Sequence, residues 1–84
     1  MNPTPLKSAQ IRAARSLIRW SAQDLAERAL LSVATIRRAE LTDSETSMTA
    51  ANDLAVRRAL EAAGVEFIEE NGGGPGVRLR KPAK

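Results

Sequence analysis

The sequence predicts a mainly α domain, four helices followed by a carboxy-terminal β-hairpin, and three observations lead there. Ile11, Ala14 and Ile18 recur at three- and four-residue spacings, with Leu17 beside them, as the buried stripe of a helix does. Ser21 and Ser32 each precede a short stretch of helical periodicity, so two brief helices follow the first with little between them. After Gly64 the period changes to alternation, first over residues 65–69 and again over 77–80, across a glycine-rich link.

The first helix is expected over residues 8–19, with Arg12, Arg15 and Arg19 on a side other than the apolar stripe. The second begins at Ser21, where Asp24 three residues on completes a capping-box pattern and Trp20 with Leu25 has the spacing of a hydrophobic staple. Leu25, Ala26 and Ala29 supply its inner face. The third runs from Val33 to about Leu41, capped by Ser32, with Leu31 and Ile36 repeating the staple spacing. Leu30, Leu31 and Ser32 alone separate the two helices, a tight connection. Polar residues from Thr42 to Ser47 form a loop, and Ser47 or Thr49 caps a fourth helix with Leu54, Ala55, Leu60 and Ala63 as expected core positions. Gly64 stops it in a left-handed conformation. In the hairpin Val65 and Phe67 face one way and Glu66 and Ile68 the other. Val77 and Leu79 likewise oppose Arg78 and Arg80, so glutamates and arginines meet across the strands.

Length and composition bound what such a chain does. Its 84 residues make one domain with a small core, and small domains draw stability from disulfides, metals or partner subunits. With no cysteine and no histidine, the first two are removed and a homodimer is expected, built on Leu, Ile, Val and Ala. No metal site and no cofactor are expected. The amino terminus is polar and proline-broken, and no apolar run approaches the ~20 residues that span a bilayer, so a cytoplasmic protein away from membranes is expected. The net charge of +3 suits a polyanionic partner without selecting one. Arg37 with Arg38, Arg57 with Arg58, and Arg78, Arg80, Lys81 and Lys84 gather the cations. The acids cluster at Asp24 and Glu27, from Glu40 to Glu45, and from Glu66 to Glu70.

The stretch Ser21-Ala-Gln-Asp-Leu-Ala-Glu-Arg-Ala-Leu-Leu-Ser-Val-Ala-Thr-Ile-Arg-Arg-Ala-Glu40 resembles the phage-repressor-like, or XRE-type, helix-turn-helix. Leu25-Ala26, Ser32, Ile36 and Glu40 are the matching landmarks, and the likeness extends loosely from Ile11 to Gly64. It implies a lambda-repressor-like bundle divided into an amino-terminal arm (1–7), a DNA-binding domain (8–64) and a carboxy-terminal hairpin with a basic tail (65–84). It implies a sequence-specific transcriptional regulator, a repressor by default, that binds a double-stranded operator as a homodimer with the third helix in the major groove. The hairpin is a candidate for the dimer contact.

The family's base-reading positions fall on Val33, Ala34, Thr35, Arg37 and Arg38. An arginine there can grip guanine O6 and N7, while Val33, Ala34 and the Thr35 methyl suit thymine methyl groups. Ser21, Gln23, Ser32, Arg19 and Asn52 are candidate phosphate contacts. An arginine at the place of Arg15 pairs, in the family, with the glutamate that ends the third helix, which makes Arg15 and Glu40 a structural ion pair. Leu30 stands where the family usually has glycine. Either it takes a left-handed backbone at a cost of about 1 kcal/mol or more, or the turn differs.

Other classes weigh against this reading. Without histidine or cysteine there is no side chain poised as base or nucleophile near neutrality, and the glycine run lies between strand-like segments, so no enzyme and no small-molecule ligand are expected. The alternative is a protein-interaction module, antitoxin-like or anti-activator, that uses the same helices to hold another protein, with an exposed strand edge available for pairing.

Overall fold

The computed structural model describes residues 4–42 and 44–80; residues 1–3 of the arm, Asp43, and the tail with Lys81 and Lys84 lie outside them. In chain order come α1 (Ser8–Ile18), α2 (Ala22–Ala29), α3 (Val33–Ala39), α4 (Ala50–Ala62), β1 (Val65–Ile68) and β2 (Gly76–Leu79). The fold is mainly helical with one two-stranded antiparallel sheet, the order of elements that the sequence predicts. No helix among the described residues is long and apolar enough to cross a membrane.

Local hydrogen bonds set most of the helix ends. Ser21 Oγ accepts from the Asp24 backbone N–H at 3.0 Å while the Asp24 carboxylate accepts from the Ser21 N–H at 2.9 Å, so two otherwise orphaned donors are satisfied reciprocally. Ser32 Oγ accepts from the Thr35 N–H at 3.1 Å and starts α3. Of the two candidate caps of α4, Thr49 is the one used, accepting from the Asn52 N–H at 3.1 Å. α1 has no serine or threonine cap; instead the Gln10 side chain accepts from the Lys7 N–H at 2.9 Å.

Two helices end on a non-glycine residue in the left-handed conformation. α1 stops at Ile18, one residue short of expectation, because Arg19 turns to φ 59°. α2 stops because Leu30 turns to φ 60°, letting the Leu31 N–H reach the Ala26 carbonyl at 2.9 Å. Leu30 therefore takes the costly backbone, and its side chain, 89% exposed, recovers no burial in return.

The core gathers Ile11 and Ala14 of α1, Leu25, Ala26 and Ala29 of α2, Ile36 and Ala39 of α3, Val56 and Leu60 of α4, Val65 of β1, and Leu6. Alanines at the α2–α3 contact let the two helices approach closely. The burial of each leucine or isoleucine contributes about 1.5–3 kcal/mol. Two expectations for α4 and α1 are corrected. Leu54 is 36% exposed and Leu17 40%; α4 buries Leu60 as expected, but with Asp53, Val56 and Arg57 beside it rather than Leu54. That stripe has equally good helical spacing, and it carries two polar residues because a partner segment bonds to them.

The partner segment is residues 4–8. Leu6 is 1% exposed, and its N–H donates to Asp53 Oδ1 at 3.0 Å. Arg57 Nη2 donates to the Thr4 carbonyl at 2.8 Å, and the Ser8 N–H donates to the Ser44 carbonyl at 2.9 Å. Ser8 Oγ, fully buried, bonds to the Ala39 carbonyl and the Thr42 hydroxyl. This segment ties the start of α4 to the end of α3.

The hairpin pairs Val65 with Leu79, Glu66 with Arg78, Phe67 with Val77 and Ile68 with Gly76. Glu66 and Arg78 form an exposed ion pair on its outer face. Gln10 of α1 donates its side-chain amide to the Gly76 carbonyl at 3.1 Å and fixes the loop end of the hairpin to the helices.

Candidate nucleic-acid interface

α3 is seven residues long, and the burial of Ile36 and Ala39 decides which of its side chains look outward. Ala34, Arg37 and Arg38 are exposed, while Val33 and Thr35 are half-buried along the edges of that face. The first turn of α3 holds no acid, so nothing there opposes an approaching anion. Neither Arg37 nor Arg38 joins an ion pair among the described residues. Glu40, the acid nearest to Arg37 along the chain, is committed elsewhere.

That commitment is to Arg15. Its Nε meets Glu40 Oε2 at 2.6 Å and its Nη2 meets Oε1 at 2.8 Å, the two parallel bonds that match a guanidinium to a carboxylate. Arg15 Nη1 also donates to the Trp20 carbonyl at 2.9 Å, and Arg12 Nη1 reaches the Glu40 carbonyl. The end of α3 is thus clamped to α1 by side chain and backbone together. The hydrogen bond to Glu40 raises the Arg15 pKa above its ordinary value, burial opposes that, and charge attraction adds to it. A raised pKa keeps the cation charged at every lower pH, so its half of the clamp holds through all ordinary buffers.

The other expected contacts are placed unevenly. Thr35 and Arg38 share a groove of about 200 Å³ with Ala39, Ser47, Met48, Thr49 and Asn52. The structure therefore brings two of the expected base-reading residues together with Asn52, at the amino-terminal end of α4. Ser21, Gln23 and Arg19 are exposed but line no part of that groove. The Ser21 and Ser32 hydroxyls are already spent as caps, and Gln23 Nε2 donates to Glu27 at 3.1 Å. Arg28 lies 5.2 Å over the Trp20 ring.

Sequence reasoning missed Met48 in the groove and Arg57 in the interior. Met48 sits one residue before the cap of α4, and the spacing of that cap was the only available signal. Arg57 reads as half of a surface arginine pair until the arm is placed beside it. Among the described residues no three His, Cys, Asp or Glu side chains come together as a metal would require. No known protein-family model matches the chain, and no curated protein matches it either.

Proposed function

We propose that the protein is a sequence-specific regulator that binds double-stranded DNA as a homodimer. α2, Leu30 to Ser32 and α3 would act as a helix-turn-helix of the phage-repressor kind, within a lambda-repressor-like bundle. One observation carries this reading: α3 turns Ala34, Arg37 and Arg38 outward with no acid among the described residues paired to the arginines, while Ile36 and Ala39 anchor its other side.

Arg38 is the leading base reader, since it borders both the outer face of α3 and the groove that holds Asn52. Asn52, which shares the groove with Arg38, and the exposed Arg19 would serve as phosphate contacts. Ser21, Gln23 and Ser32 are weaker ones because their side chains have partners. Arg15 and Glu40 hold α3 at its angle and do not read DNA. A dimer would set two copies of α3 in successive major grooves, about 34–36 Å apart. Occupying a promoter would repress it.

The test is selection of bound sequences from random duplexes, then measurement of Arg38→Ala on the winning site. The variant is expected to lose about 1–3 kcal/mol of preference over a scrambled site, roughly 5- to 150-fold, with an unchanged melting curve. Wild-type affinity should fall steeply with salt. If removing Arg37 and Arg38 together leaves site preference intact, the reading is wrong.

A further inference from the structure

A second cavity, of about 130 Å³, lies on the side of the molecule where the arm, α1, α4 and the hairpin converge; Pro5, Lys7, Gln10, Arg57, Phe67 and Pro75 contribute to its walls. Arg57 makes it unusual. The residue is 9% exposed, yet its guanidinium meets no carboxylate within 4.0 Å among the described residues. One N–H is used on the Thr4 carbonyl, and Nε is sealed from solvent without an acceptor among the described residues. The Phe67 ring lies 5.2 Å from the guanidinium carbon. Asp53, one turn earlier on α4, accepts from the Leu6 N–H at its Oδ1 and forms no ion pair with Arg57. A buried cation without a counter-charge is costly, and natural sequences bury charges in pairs.

We propose that this cavity binds a small carboxylate with a compact apolar body, its anion on the Arg57 guanidinium and its body against Phe67, Pro5 and Pro75. The planar fork of arginine matches a carboxylate. Lys7 borders the cavity with its Nζ already 3.5 Å from Glu45 Oε2, so Arg57 is the anchor for the anion, and the proline and phenylalanine walls suit branched carbon better than a phosphate. Glu69 and Glu70 border the same cavity. Glu70 is turned to the hairpin loop, accepting from the Gly72 N–H at 2.9 Å and the Gly74 N–H at 3.0 Å. These two acids give an ammonium group a seat, so a free amino acid and a plain branched-chain acid both have the required chemistry. The site involves none of the residues assigned to DNA, and its test contains no DNA.

The experiment follows backbone amide and arginine Nε–H signals of the whole chain by NMR during titration with isovalerate, L-valine or isovaleramide. The two carboxylates are expected to shift Arg57 Nε–H and the amides of Gln10 and Phe67, and the neutral amide is not. Valine binding about tenfold tighter than isovalerate would assign an amino acid; equal or weaker binding would assign a plain acid. Arg57→Met is expected to abolish the shifts. If isovaleramide acts as well as isovalerate, if no probe moves these signals, or if Arg57→Met still binds, the proposal fails. Should that variant not fold, the wild-type Arg57 Nε–H decides: slowed hydrogen exchange with isovalerate supports the site and unchanged exchange overturns it.

Discussion

Arg15 and Arg57 are both drawn into the body of the molecule, and their surroundings differ in one respect. Arg15 meets a carboxylate in two short parallel bonds and has a third acceptor in the Trp20 carbonyl. Among the described residues Arg57 has one carbonyl, an aromatic ring and a buried Nε with no acceptor. Burial by itself therefore says little about what a charged residue contributes. A matched partner turns the desolvation of Arg15 into a clamp between α1 and α3, whereas the same desolvation at Arg57 stays uncompensated among the described residues.

The same substitution at both positions exposes the contrast. Arg15→Met leaves Glu40, whose side chain is only 9% exposed, without its counter-ion, and is expected to cost about 3–5 kcal/mol in denaturant unfolding. A loss below about 1 kcal/mol would mean that the pair is mere surface decoration. Leu30→Gly touches neither arginine and calibrates the scale. It relieves a left-handed leucine at φ 60° but loosens the unfolded chain, for a net gain of about 0.5–1 kcal/mol and a melting point higher by several degrees. Arg57→Met is expected to change stability least, by less than about 0.5 kcal/mol, because the lost Thr4 bond is offset by removing an unpaired buried charge while the apolar stem remains. If it unfolds the protein as Arg15→Met does, the two arginines play the same part and the contrast collapses.

What could be read from the sequence follows the reach of each interaction. The caps at Ser21, Ser32 and Thr49 join residues three apart, so serine, threonine and aspartate at the right offsets disclose the helix starts directly. Leu25, Ala26, Ala29 and Ile36 were legible from period and cap spacing, whereas Val33, Ala34, Thr35, Arg37 and Arg38 were singled out by the family resemblance. Of these, Ala34, Arg37 and Arg38 are exposed and Val33 and Thr35 half-buried. The stripe of α4 was not legible. Judged by apolarity it should include Leu54, but the arm contributes backbone groups that need Asp53 and Arg57, from positions 47 and 53 residues away. No local pattern encodes that demand. The cavity beside Arg57 was invisible for the same reason, being walled by segments that meet only in three dimensions.

The arm also orders events in time. Thr4 and Leu6 leave the ribosome before α1 to α4, yet the Leu6 N–H finds its acceptor only when Asp53 has been made, and the Thr4 carbonyl its donor only with Arg57. α2 and α3, by contrast, carry their caps within themselves and meet each other across three residues. Vectorial synthesis thus favours α2 and α3 forming first. The segment before α1 is then secured later than the helices it precedes, and its docking fastens the start of α1 to α4.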